Sequence, residues 1–276
     1  DIGSNLTLTF NNHATKASYL KLEVLDESGS YVQMASVTGV QAASYTWNLA
    51  SIAVQLYQKC PTRNQMPYRI ICGVSLGGVD YTGIKTGIMK VTNSNPAFSA
   101  YDYGNTVTAI KNLLGAVYMP ENYGNMQVLI SAGNKAVPKN SAAISKYVCE
   151  ITSGNFNKRV EKAFSSSAAV TMDLGAFGTA GTYTLCVYAV DSRGNSSGRI
   201  SKSFYILPYH KPFINAITLK RLNDYEAQTS VALTGFYSKL MVGTVQKNKN
   251  LTLKYRYCEA GKSFPSTYTS VTPTFT

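Results

Sequence analysis

The chain has 276 residues, of which 45% are apolar and 14% charged, a balance that supports buried cores and excludes a disordered chain. Its length suits two or three domains of about 100 residues each. The formal net charge is +12, and no apolar stretch approaches the ~18 residues that a membrane-spanning helix needs, so no membrane partner is expected.

The opening DIGSNLTLTF has neither a basic start nor a continuous apolar core, so no signal peptide is expected there. Twenty tyrosines, with abundant Thr, Ser and Val, favour strands joined by polar turns. Residues 6–10, 19–25, 31–37 and 44–49 read as strands in that order. Asp26-Glu27, followed by Ser28-Gly29, reads as a hairpin tip. The segment 48–60 differs: Leu49, Ile52, Ala53 and Leu56 fall at helical spacing, with Asn48 or Ser51 as cap. A short helix crossing between two sheets is expected there.

Residues 68–91 (YRIICGVSLGGVDYTGIKTGIMKV) then match residues 183–206 (YTLCVYAVDSRGNSSGRISKSFYI). Tyr68, Ile70, Cys72 and Val74 fall on Tyr183, Leu185, Val187 and Ala189. Met89 and Val91 fall on Phe204 and Ile206. The Pro-bearing tails NSNPAF and YHKPF match too, with Phe98 and Phe213 at the same offset of 115 residues as Tyr68 and Tyr183. Self-similarity at that period predicts tandem domains. Alternation places the tyrosine face inward, with Cys72 inward and Cys186 facing out. The head tyrosine of each hairpin resembles the tyrosine corner of Greek-key sandwiches.

Within 94–208, residues 126–131, 146–152 and 168–174 read as further strands. The loop DSRGNSSG (191–198) raises the question of a ligand site at Arg193. Gly194 supplies the positive φ of a tight return, and Asp191 and Asn195 can satisfy local backbone groups. The first copy has SLGGVDYTG there, without Arg, so the turn reading is preferred. A third copy is signalled by VCE (148–150) recurring as YCE (257–259). The expected organisation is all-β: tandem immunoglobulin-like β-sandwich domains at 1–93 and 94–208, and an incomplete third at 209–276, with more of the natural protein on both sides. Net charge rises along these parts from +2 to +4 to +6, so the last would feel an anionic polymer most.

Five cysteines, an odd number without C-x-x-C spacing, read as small buried hydrophobes rather than a disulfide or zinc framework. His13 and His210 lie in separate loops without a partnering cluster, and no phosphate loop is present. No catalytic, metal or cofactor residues are therefore assigned, and no cofactor is expected. Tyrosine-bearing stretches at 100–105, 117–125 and 236–240 could stack on sugars, and the basic pairs Lys158-Arg159, Lys220-Arg221 and Lys254/Arg256 could meet phosphates. Tyr101, Tyr103, Tyr123, Lys158 and Arg159 are the ligand-binding candidates. No nucleic-acid motif accompanies them, so nucleic acid is not an expected partner.

Asp1-Ile2-Gly3-Ser4, the strand bearing Trp47, and Asn95-Pro96-Ala97-Phe98 leading into Tyr101-Asp102-Tyr103 resemble the minor tail structural proteins of siphophages that infect Gram-positive bacteria. The resemblance implies immunoglobulin-like domains, no catalytic residues, and a virion tail component assembled in the reducing host cytoplasm. Its implied partners are other tail proteins. Gram-positive wall glycans or teichoic-type polymers are the alternative partners, through an adhesin-like role.

Overall fold

The computed structural model describes residues 1–10, 18–221, 223, 229–249 and 252–271. In the first unit, β1 (Asn5–Thr9) pairs with β4 (Ser44–Asn48). The facing sheet runs in the order β3 (Tyr31–Val40), β2 (Ser18–Leu25), β5 (Gln65–Leu76), β6 (Val79–Lys90), all antiparallel. Strand alternation builds the core. Leu20, Leu22 and Val24 of β2 and Met66 and Ile70 of β5 are buried, and Leu6, Leu8 and Tyr45 of the small sheet pack on them with Trp47. The helical spacing after β4 becomes a 3₁₀ turn at Leu49–Ile52 and α1 (Ala53–Gln58), which crosses from one sheet to the other. The Asn48 side chain accepts from Ala50 N at 3.0 Å, the expected cap, and Leu49 and Leu56 are buried. Asp26 closes the β2–β3 tip by accepting from Ser28 and Ser30.

The second unit repeats this plan with more strands. β7 (Asp102–Asn105) is followed by α2 (Thr108–Leu114), β8 (Tyr118–Pro120) and β9 (Met126–Ile130). β10 (Ile144–Ser153), β11 (Phe156–Ala163), β12 (Val170–Gly175), β13 (Gly181–Asp191) and β14 (Ile200–Leu207) complete it. One sheet is β12-β9-β7 and the other β11-β10-β13-β14-β8, with β8 parallel to β14. This is the strand arrangement of immunoglobulin-type sandwiches. The fold class is all-β, with tandem immunoglobulin-like sandwiches. Met126, Val128 and Ile130 oppose Tyr147, Cys149, Ile151, Leu185 and Val187 across the core. An aromatic cluster of Phe177, Tyr183 and Phe204, with centroids 4.9 to 5.2 Å apart, closes one end.

The tyrosine corner exists in the second unit: Tyr183 Oη donates to Thr179 O at 3.0 Å. The two matched hairpins differ in one respect. Tyr68 pairs with Gly87 but Tyr183 with Phe204, so the returning strands are two residues out of the expected 115-residue register. The cause lies in the turns. The first hairpin closes tightly on Gly77-Gly78, both with positive φ, whereas the second carries the loop between β13 and β14. A shift of two preserves which face points inward.

Beyond residue 208 the described residues form three ladders. These are β15 (Phe213–Arg221) with β16 (Thr229–Phe236), β17 (Met241–Val242) with β18 (Val245–Gln246), and β19 (Leu253–Tyr255) with β20 (Thr269–Val271). YCE (257–259) falls after β19, not inside a strand as VCE falls inside β10, so that part of the repeat does not carry over. His13 lies outside the described residues.

Tyr183→Phe removes one hydrogen bond to a main-chain carbonyl and is expected to destabilise the second sandwich by about 1 kcal/mol. Urea denaturation followed by far-UV circular dichroism measures this; a midpoint equal to that of the parent would show that the corner contributes nothing.

Candidate functional site

The loop 191–195 is a turn, as its residues predict. The Asp191 carboxylate accepts from Arg193 N and Asn195 N at 2.9 and 2.8 Å, and Gly194 has φ +83°. The turn holds Arg193 in place, and the use of that side chain was not legible in the sequence. Arg193 is only 7% exposed and lies between the two sandwiches. Its Nε donates to Cys60 O (2.9 Å) and Arg63 O (3.2 Å), just after α1. Nη1 reaches Ser94 Oγ (3.0 Å) in the connecting segment, and Nη2 reaches Asn140 O (2.6 Å) in the second unit. Longer contacts run to Tyr57 O and Lys139 O. A short helix leaves unpaired carbonyls at its C-terminal end, where a cation is favoured. Arg193 thus caps a helix of one domain from a loop of the other. Asn140 and Ser141, both at positive φ, turn the Asn140 carbonyl inward.

Neighbouring contacts widen the joint. Ser192 Oγ donates to Pro61 O at 2.6 Å. Asn64 and Asn195 exchange amide hydrogen bonds, each 3.1 Å long, and Asn64 also donates to Arg193 O. The sequence signal for all this was an Arg in a tight turn with no counterpart in the first copy. Its partners, mostly backbone carbonyls, leave no trace in side-chain identity.

The ligand-binding candidates divide. Tyr101 is 1% exposed and its ring belongs to the core, so it offers no face to a sugar. Burial raises its phenol, and Lys202 lies over the ring. Lys158 is tied to Leu174 O at 2.7 Å. Arg159 joins Glu161 and Glu150 at 2.7 and 3.0 Å and donates to Tyr188 Oη, so its charge is already answered within the sheet. Arg199 completes this outer-face network by binding Glu150 and stacking on Tyr188. Hydrogen bonds from Arg199 and Tyr188 hold the Glu150 carboxyl below the usual range. Tyr123 is exposed and meets Tyr209 edge-on at 5.1 Å.

Tyr103 lines a concavity. Its hydroxyl donates to Ser203 O at 2.8 Å. Its ring borders a groove of about 490 Å³ between β7 and α2, with Asp102, Lys111, Asn112 and Gln127. Asp102, Lys111 and Asn112 make no side-chain hydrogen bond or ion pair among the described residues. Among those residues no three His, Cys, Asp or Glu side chains gather at one point, and no helix is long and apolar enough to cross a membrane. All five cysteines are free thiols, but only Cys60 and Cys149 are buried as expected, while Cys72, Cys186 and Cys258 are half-buried. Burial pushes Cys149 up to about 12 and also raises Cys60, with Arg193 opposing the latter shift. Cys186 faces outward toward Arg199, as alternation predicts.

No family model and no curated protein sequence matches the chain. Among solved structures it is similar to the fibronectin(III)-like modules of Clostridium thermocellum CbhA, at 12% identity and TM-score 0.27 over 75% of this chain and 87% of that one. It is also similar to the chicken interferon gamma receptor alpha chain, at 8% identity and TM-score 0.30 over 72% and 90%. A bacterial ice-binding adhesin follows at 13% and 0.29 over 79% and 63%. Likenesses this low identify no relative.

Arg193→Met keeps the stem but leaves the carbonyls unanswered. It is expected to cost about 3 kcal/mol and to split the unfolding of the two sandwiches into separate calorimetric transitions; an unchanged profile would refute the joint. Glu150 has a lowered folded pKa, so its contribution is present above the unfolded carboxylate range and is lost as pH falls through the folded value. Glu150→Gln should therefore melt below the parent at pH 7 and converge with it at strongly acid pH, read as Tm across a pH series.

Proposed function

We propose that the chain is a non-enzymatic structural component of a siphophage tail, its immunoglobulin-like domains acting as spacers or decoration near the host-attachment apparatus. The observation that carries the structural role is the joint at Arg193. Sandwiches tethered by a flexible linker need no buried interdomain contact. Here a buried guanidinium holds carbonyls of both units and a hydroxyl of the connection, which fixes their relative direction. A fixed direction is what a spacer must supply. The tail assignment rests on the sequence resemblance at Asp1–Ser4, Trp47 and Asn95–Phe98. Free thiols suit assembly in a reducing cytoplasm. The test is quantitative mass spectrometry of gradient-purified virions from the source phage: the chain is expected in stoichiometric ratio to other tail proteins, and its presence in lysate but not in virions would refute the reading.

A second reading, a binding module for wall glycans or anionic wall polymers, is favoured by the groove beside Tyr103, with its unengaged Asp102, Lys111 and Asn112. The +6 charge of residues 209–276 adds an electrostatic term. Labelled chain titrated onto Gram-positive cells across a salt series separates the cases. Retention lost steeply with salt supports an anionic polymer, retention that survives salt supports the groove, and no retention at any salt removes the second reading.

A further inference from the structure

We propose that the free edge of β6 is a homotypic interface, at which a second copy of the chain adds its own β6 antiparallel across a twofold axis at Gly83. β6 is the last strand of its sheet and is twelve residues long, from Val79 to Lys90. An unpaired strand edge presents a row of open N–H and C=O groups, and proteins normally blunt such edges with charge, Pro or a covering segment. Two strands of the second sandwich are treated in that way, whereas β3, at the far edge of the β6 sheet, is uncharged as well. β11 carries Lys158, Arg159, Glu161 and Lys162. β14, the counterpart of β6 in the second sandwich, is covered at its C-terminal end by the parallel β8. Along β6 the one comparable contact among the described residues is Ile2 N to Lys90 O, at the last residue. Residues 79–87 contain no Pro, one acid and one base, and they expose Val79, Tyr81 and Ile84 by more than half.

The hairpin also projects. β2 pairs with β5 only as far as Tyr19 opposite Gly73, so Val74 to Tyr81 continue as a two-stranded arm. Leu76, Val79 and Tyr81 alternate onto one face of that arm and are exposed. Backbone pairing and an apolar arm are together the features of strand addition.

Self-complementarity selects a second copy as the occupant. In an antiparallel pair, facing residues share a side of the sheet, so a twofold axis must pass through a residue. Centred on Gly83, the pairing sets Thr82 against Ile84, Tyr81 against Lys85 and Asp80 against Thr86, each twice. No like charges oppose, and the Ile2–Lys90 contact at the strand end stays intact. A Cβ built on Gly83 would meet nothing within 4 Å, so the position on the axis is open. The first part of the chain is also the least charged, at +2, so two copies approach there against the weakest repulsion.

The test is light scattering and sedimentation of the 276-residue chain across concentration, expected to give twice the 30.0 kDa chain mass. Ile84→Glu, on an exposed side chain, should return the monomer without lowering Tm. In a Cys72→Ser background, needed because Cys72 faces Gly83 across the β5–β6 ladder, Gly83→Cys should form a covalent dimer under mild oxidant that Thr86→Cys and the background alone do not. A monomer at every concentration overturns the proposal, as does a dimer that persists in Ile84→Glu. A dimer in which Gly83→Cys fails to cross-link points instead to another surface, such as the exposed β15–β16 ladder, and equally overturns it.

Discussion

One guanidinium sets the relation between the two sandwiches. Taking an arginine charge out of water is costly, and the cost is met only where many acceptors converge on it. Around Arg193 those acceptors come from three places: the end of α1, the connection at Ser94, and the strained corner at Asn140. Each depends on a local device. Asn48 starts the helical segment, Asn93 at positive φ turns the connection, and Asp191 shapes the loop that carries the arginine. If any device fails, the carbonyls or the charge are left unanswered. The joint therefore binds the local folding of both units into one requirement.

The strands that were legible in the sequence are those with one apolar and one polar face. β2 alternates buried and half-buried along its whole length, and β12 alternates buried Val170, Met172 and Leu174 with exposed neighbours. The helix after β4 was readable because its period changed while its cap stayed in place. β11 was not readable: its outward face is polar and its other face meets water along much of its length, so no apolar alternation marks it. β7 and β8 escaped for a different reason. They are four and three residues long, shorter than any window over which a period can be detected.

The same limit governs the candidate site residues. Tyrosine serves core and surface equally well, because it joins an apolar ring to a polar tip. Tyr101 and Tyr103 are two residues apart, on the same inward-turned side of one edge, yet the first is sealed and the second borders a groove. That difference comes from α2 and the residues just after it, which no local pattern of the tyrosines encodes. Arg159 and Lys158 show the converse. They read as a basic pair, but successive strand residues face opposite ways, so one bonds Leu174 O while the other meets Glu150 and Glu161.

The choice of acceptors at the joint has a consequence for its stability. Carbonyl and hydroxyl groups do not titrate, and an arginine keeps its charge at any pH a cell meets. The guanidinium's direct partners, shielded from water, respond little to pH or salt, although the loop that carries it is held by the Asp191 carboxylate. The outer-face network of the second sandwich is built oppositely. There Glu150 and Glu161 answer Arg159, Arg199 and Lys146 at partly exposed positions, so acid and ionic strength both weaken it. The outer face of the second sandwich thus carries condition-sensitive pairs, and the first has Arg69–Glu23 and Arg63–Glu27, while the guanidinium between the domains is answered by groups that do not titrate. Acid or salt is therefore expected to loosen the outer-face network before it reaches the guanidinium's own contacts between the sandwiches.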